Sequence, residues 1–102
     1  MDETGNESVG NVSLPAVVDL PHAGVLKAQL ERGLASGSGI TIDGSAVQRI
    51  SSPCLQVLVA GMTAFTKAGG PPMTIVKPSA AFLETVSVLG LGDVLGLVGA
   101  QA

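Results

Sequence analysis

Residues 40–70 read ITIDGSAVQRISSPCLQVLVAGMTAFTKAGG, and they carry the strongest indication of fold in the 102-residue chain. It opens with a short β-rich run, Ile40–Asp43. Beyond Pro53, apolar residues recur at the spacing of one buried helix face, namely Leu55, Leu58, Val59, Met62 and Phe65. Gly69 and Gly70 then end the helix. A strand that feeds a helix in this way predicts one half of a β-α-β unit.

The N-terminal flank supplies the preceding strand and helix. Residues 12–17 alternate between apolar and polar side chains, and Pro15 within them favours an edge strand or a bulge. After Asp19 and Pro21, leucines recur every four residues on the same face as Ala23, which predicts an amphipathic helix that ends at Gly37; they are Leu26, Leu30 and Leu34. We interpret 44–50 as a connection anchored by Val47 and Ile50.

The C-terminal flank supplies a third strand and further helix. Residues 73–77 are β-rich, and Ser79 is expected to cap the helix that follows. The core face of that helix is predicted to contain Phe82, Val86 and Leu89, with Gly90 closing it. A last short amphipathic piece is predicted from the apolar residues Leu91, Val94, Leu95 and Val98. The resulting order β-α-β-α-β-α-α predicts an α/β domain with a mostly parallel sheet over residues 11–102, after a mobile polar tail of residues 1–10.

The amino-acid composition argues against several classes of function. Only 13% of residues are charged, the net charge is −3 and the five basic residues are scattered, so no footprint for nucleic acid is expected. One histidine, His22, and one cysteine, Cys54, offer little for acid–base chemistry, a disulfide or a metal. We therefore expect no enzyme, no catalytic residue, no cofactor and no metal. The acidic start is no signal peptide and no apolar run reaches about 20 residues, so a cytoplasmic protein without membrane insertion is expected.

The turn Ser51-Ser52-Pro53 is the stretch most informative about function. Its plain interpretation makes Ser52 the N-cap of the following helix. Its functional interpretation makes Ser52 a regulated hydroxyl, because a phosphoryl group is favoured at the positive end of a helix dipole. Cys54 is expected to be a packed residue rather than a reactive thiol. Asp43 ends a strand, where carboxylates can bind ligands, although capping of the Gly44-Ser45 turn is the simpler expectation.

From Asp43 onward the chain resembles the STAS family, the domain of sulphate transporters and bacterial anti-sigma-factor antagonists. The family pattern has Asp-x-Ser-x-Val after a strand, then Asp-Ser-Ser/Thr-Gly-Leu opening a helix that closes on Gly-Gly about fifteen residues later. Here these elements read Asp43-Gly44-Ser45-Ala46-Val47, Ser51-Ser52-Pro53-Cys54-Leu55 and Gly69-Gly70. The resemblance covers roughly residues 12–95 and implies a small sheet with helices packed chiefly on one face.

The resemblance also implies a site and its partners. A kinase phosphorylates the antagonists on the serine that falls on Ser52, whereas the family's Asp and Gly are Ser51 and Cys54 here. The partner-binding residues expected from the motif are Asp43, Ser45, Ser51, Ser52, Pro53 and Gln56. The chain would then be a signalling module that docks on an anti-sigma-factor kinase or on a histidine-kinase component of chemotaxis or two-component signalling.

The sequence is also compatible with two alternative functions. The chain could be a constitutive STAS subunit of a lipid-transporting ABC complex, docking on the transporter ATPase through the same helix. It could instead bind nucleotides, as has been suggested for STAS domains, although the sequence contains no phosphate-binding loop of the GxxxxGK[ST] or GxGxxG type.

Overall fold

The computed structural model describes residues 10–97, which contain five short strands and three helices. The expected mobile tail of residues 1–10 falls, apart from its last residue, outside the described residues, and so does Val98. In chain order the elements are β1 (Asn11–Ser13), β2 (Val17–Val18), α1 (Leu20–Ser36), β3 (Ile40–Asp43), β4 (Arg49–Ile50), α2 (Ser52–Ala68), β5 (Met73–Val76) and α3 (Ala80–Val88).

Every strand pairing in residues 10–97 is parallel. The larger sheet has the order β1-β3-β5, with Val12 opposite Ile42 and Ile42 opposite Ile75. The strands β2 and β4 form a separate parallel pair. The predicted α/β class with a small parallel sheet is therefore confirmed.

One face of the three-stranded sheet carries the core. In β3 and β5 the buried side chains alternate with more accessible ones, so that Ile40, Ile42, Met73 and Ile75 are buried while Thr74 is exposed. Because successive side chains of a strand point to opposite faces, these buried residues share one face. The helices α1 and α2 pack over that face, as the family resemblance implies.

The two long helices approach each other closely at a glycine. A Cβ atom at Gly61 of α2 would lie 2.7 Å from Cδ1 of Leu30 and 3.2 Å from the sulfur of Met73. Glycine therefore lets α1, α2 and β5 meet without a side chain between them. Leu26 and Leu30 from α1 and Leu58 from α2 are buried in the shared core.

Two local predictions at the sheet were wrong in detail. Residues 12–17 form two strands instead of one, because Pro15 has no amide hydrogen and the chain changes partners around it. The amide of Leu14 still donates to the carbonyl of Asp43, whereas the carbonyl of Ala16 accepts from Arg49. The supposed connection 44–50 ends in β4, which is only two residues long and too short to leave a periodic pattern.

The C-terminal part also differs from expectation. Ser79 does cap α3, accepting a hydrogen bond of 3.1 Å from the amide of Phe82. Leu89 is 41% exposed and is therefore not part of the core face. The expected amphipathic helix from Leu91 is a series of turns, because Gly90 and Gly96 adopt positive φ angles.

Within that last segment, Leu95 and Leu97 are the buried residues, while Val94 is 40% exposed.

Candidate functional site

The start of α2 is fixed against the start of α1. The strands β2 and β4 are parallel and each leads directly into a helix, so both helices begin at the same edge. The amide of Ser51 donates to the carbonyl of Val18 at 2.9 Å, and the thiol of Cys54 donates to the carbonyl of Asp19 at 3.1 Å. Cys54 is fully buried, which agrees with its expected packing role. These two bonds give the Ser51-Ser52-Pro53 turn a fixed position.

The expectation that Ser52 is the helix N-cap was wrong by one residue. Ser51 occupies the N-cap position with extended backbone angles, and helical geometry begins at Ser52. The hydroxyl of Ser51 makes no capping hydrogen bond and is a buried oxygen without a partner. The reason for the shift is that β4 ends at Ile50, which leaves Ser51 as the single residue between strand and helix.

The predicted docking residues of α2 are accessible. Ser52, Pro53 and Gln56 are exposed, whereas Leu55 and Leu58 are buried against the core. Ser52 and Gln56 are four residues apart and therefore neighbours on the helix surface. The hydroxyl of Ser52 is thus presented to solvent on a helix whose opposite side is anchored.

The second motif, Asp43 to Ser45, forms a capped turn. A carboxylate oxygen of Asp43 accepts a hydrogen bond of 2.8 Å from the amide of Ser45, as expected for a turn cap. Hydrogen bonds from the Ser45 backbone and side chain lower the pKa of Asp43. Desolvation partly opposes them, and the charge of Lys77 adds a lesser lowering effect. The carboxylate is therefore held in its ionised form. Within residues 10–97 no hydrogen bond joins this turn directly to Ser51 or Ser52.

Gly44 positions this motif, although the sequence indicated only a turn residue there. Its amide donates to the carbonyl of Val76, and its carbonyl accepts from the amide of Ser79, each at 3.1 Å. A Cβ atom here would lie 2.8 Å from the ring of Phe82. The turn after β3 is therefore locked to the turn after β5 by a close approach that needs glycine.

An apolar groove between α1 and α2 was not predicted. It has a volume of about 420 Å³. The α2 wall consists of Gln56, Val57, Ala60, Gly61, Ala64 and Phe65, and the α1 wall consists of Lys27, Leu30, Glu31 and Leu34. The available signal was the run of small residues at Ala60, Gly61 and Ala64 on a helix that is otherwise rich in Leu and Val. Gln56 belongs to both the docking residues and the groove.

Residues 10–97 contain no group of three His, Cys, Asp or Glu side chains arranged to hold a metal ion. No helix among them has the length and apolar character needed to cross a membrane.

Comparison with known proteins identifies the family. The family model described as "Mlab, STAS domain" matches residues 1–99. No curated protein matches the chain significantly. STAS domains generally interact with protein partners, and the match covers nearly the whole chain. The chain therefore belongs to the STAS domain family.

Proposed function

We propose that this chain is a non-enzymatic regulatory module that docks on a kinase-type protein partner through the Ser52 turn and the first turns of α2. The partner would be an anti-sigma-factor kinase or a histidine-kinase component, and phosphorylation of Ser52 would control the docking. Asp43, Ser45, Pro53 and Gln56 would complete the contact surface, together with Ser51, whose hydroxyl is buried and which would contribute its remaining accessible atoms.

The observation that carries the proposal is the exposed hydroxyl of Ser52 at the first position of an anchored helix. A kinase needs an accessible hydroxyl, and a partner needs a surface that keeps its shape. The bonds of Ser51 to Val18 and of Cys54 to Asp19 provide that rigidity. Gln56 extends the exposed surface by one helical turn.

Phosphorylation at Ser52 would change docking without unfolding the domain. A phosphoryl group adds about two negative charges, and the helix N-terminus favours such charge. The fold would therefore tolerate the modification. A docked partner would face a newly charged and strongly hydrated surface, so binding would weaken through repulsion and desolvation.

The test compares Ser52 variants for binding to a partner that is captured from the native cells, identified and purified. Ser52→Asp should weaken binding by about tenfold, since a mismatched charge at an interface costs on the order of 1.4 kcal/mol or more. Ser52→Ala should bind within about twofold of the wild type, because the hydroxyl can be lost without adding charge. Ser38→Asp, at an exposed serine in the loop between α1 and β3, is the matched control.

Equal binding of wild type, Ser52→Asp and Ser38→Asp would refute control through Ser52. Docking is tested separately with Gln56→Arg and its control Gln48→Arg, both at exposed glutamines. If Gln56→Arg leaves the affinity unchanged, as the control Gln48→Arg should, α2 is not the docking element.

A second candidate is the constitutive STAS subunit of a lipid-transporting ABC complex, which would dock on the ATPase through the same helix. The observation in its favour is that Ser51 stands where the antagonists have aspartate and that the first turn of α2 holds no acidic residue. Under this candidate the captured partner is a transporter ATPase, and intact-protein mass spectrometry finds no phosphate on the chain from growing cells. A kinase partner together with phosphorylated Ser52 would decide for the first proposal.

A further inference from the structure

The surface of α1 and α2 is positively charged within an acidic chain. Residues 20–36 and 52–68 hold three of the chain's five basic residues and one of its eight acidic residues. These helices therefore carry a net charge of +2 with His22 neutral, although the whole chain carries −3. Arg32 lies on another side of α1, so the side that faces the groove carries Lys27, Glu31 and Lys67, a net charge of +1. A ligand of this surface gains from negative charge, because complementary potentials favour association.

The groove between these helices is shaped for bulky apolar side chains. Ala60, Gly61 and Ala64 form much of its α2 wall, and small residues leave space that an occupant must fill. The wall from Gln56 to Ala64 extends over about 12 Å at 1.5 Å per residue. This length corresponds to about two turns of a partner helix.

Basic side chains flank the groove. Lys27 on the α1 wall forms an ion pair of 3.8 Å with Glu31, but the two side chains are 69% and 66% exposed. Such a solvated pair is weak and can rearrange when a partner binds. Lys67 follows Ala64 by three residues and therefore extends the α2 wall by one turn.

We propose that the groove binds an amphipathic helix of the protein partner, with bulky apolar residues on one face and acidic residues on its flanks. The inference rests on the proposed docking function and specifies the partner segment. A second copy presenting the same surface is disfavoured, because two faces of net charge +1, each with its exposed Lys67, would meet. The groove begins at Gln56, so one partner could occupy it and contact Ser52 together.

The first experiment identifies the occupant in the complex with the captured partner. A photo-crosslinking amino acid is introduced at Lys67 and, as a control, at Ala28, an exposed position of α1 outside the groove. The expected product from position 67 joins a partner segment that is helical, apolar on one face and flanked by Asp or Glu. Crosslinking to a second copy, to a basic segment, or in no greater yield than from position 28 would overturn the inference.

The second experiment measures affinity for the same partner. Lys67→Glu should weaken binding by about tenfold, and the loss should shrink as salt is raised. Arg32→Glu makes the same change in charge on α1, but Arg32 lies five residues after Lys27 and on another side of the helix, so it should bind nearly as the wild type. Ala60→Gln should weaken binding by filling the groove, whereas Ala28→Gln should not.

These outcomes separate the two proposals. If Ser52→Asp releases the partner while Lys67→Glu and Ala60→Gln bind as the wild type, the groove inference fails and the proposed function stands. If Lys67→Glu and Ala60→Gln weaken binding while Ser52→Asp does not, the groove is the docking site and control through Ser52 fails. Equal losses in Lys67→Glu and Arg32→Glu would show that overall charge, rather than the groove, attracts the partner.

Discussion

Replacing Gly44 with alanine should destabilise the domain through one steric contact. The added Cβ would lie 2.8 and 3.1 Å from two ring carbons of Phe82, where ordinary contacts begin at 3.4 Å. Phe82 is fully buried, so its ring cannot turn into solvent. Gly44 is not among the glycines with positive φ, and backbone strain therefore adds nothing to the cost.

The overlap between the added Cβ and the Phe82 ring determines the expected loss of stability. The ring or the turn must move by about 0.6 Å, and overpacking of this kind in a core costs roughly 1–3 kcal/mol. We expect about 2 kcal/mol, because the turn is also held by hydrogen bonds to Val76 and Ser79. With a urea dependence of roughly 1–2 kcal/mol per molar, the unfolding midpoint should fall by about 1–2 M.

The assay is urea unfolding followed by far-ultraviolet circular dichroism, because the chain has no Trp or Tyr for fluorescence. Gly70→Ala is the control, since a Cβ at Gly70 meets no atom within 4 Å. A double-mutant cycle with Phe82→Leu should show a coupling of about 1 kcal/mol, since leucine removes the ring. An unchanged midpoint for Gly44→Ala, or simple additivity in the cycle, would mean that the contact with Phe82 does not require glycine at this position.

Three further perturbations probe other parts of the fold. Gly24→Ala should raise the free energy of unfolding by roughly 0.5–1 kcal/mol, because Gly24 lies exposed inside α1 and a Cβ there meets open space. Ser79→Ala should lower it by about 1–2 kcal/mol, because the hydroxyl of Ser79 both caps the amide of Phe82 and donates to the carbonyl of Val47. The carboxyl group of Asp43 should titrate below an ordinary aspartate in a carbon-detected NMR titration. Since its folded-state pKa is lowered, its stabilising effect should be full above the pKa of the unfolded chain and disappear as the pH falls through the folded-state pKa.

Each of these outcomes has a matched comparison. Ser87→Ala changes an exposed serine of α3 without removing a cap, so equal losses in the two serine variants would argue against the capping bond. Asp43→Asn removes the titrating group, and its stability should depend less on pH in the acid range than that of the wild type. A Gly24→Ala variant no more stable than the wild type would mean that α1 is not regular helix at that position.

Much of the candidate site was predictable from local chemistry. The Asp43 turn, the cap at Ser79 and the exposed Ser52 at a helix start follow from residue types that interact within a few positions of one another. The exact N-cap did not follow, because the sequence Ser51-Ser52-Pro53 allows either serine. Because the two-residue strand β4 ends at Ile50 and helical geometry begins at Ser52, the N-cap is Ser51.

The α/β class, the helices α1 to α3 and the family could be inferred from the sequence alone, because periodicity and turn residues are visible in consecutive positions. The sequence also predicted a fourth helix from Leu91, where the structure has turns. The groove and the role of Gly44 could be seen only in three dimensions, because both arise between elements that are distant in sequence. Gly61 lines the groove where Leu30 of α1 comes close to α2, and Gly44 is needed because Phe82 packs against it. Leu89 is a residue for which the sequence pattern was misleading. Its spacing fits the core face of α3, but the helix ends one residue before it and leaves it exposed.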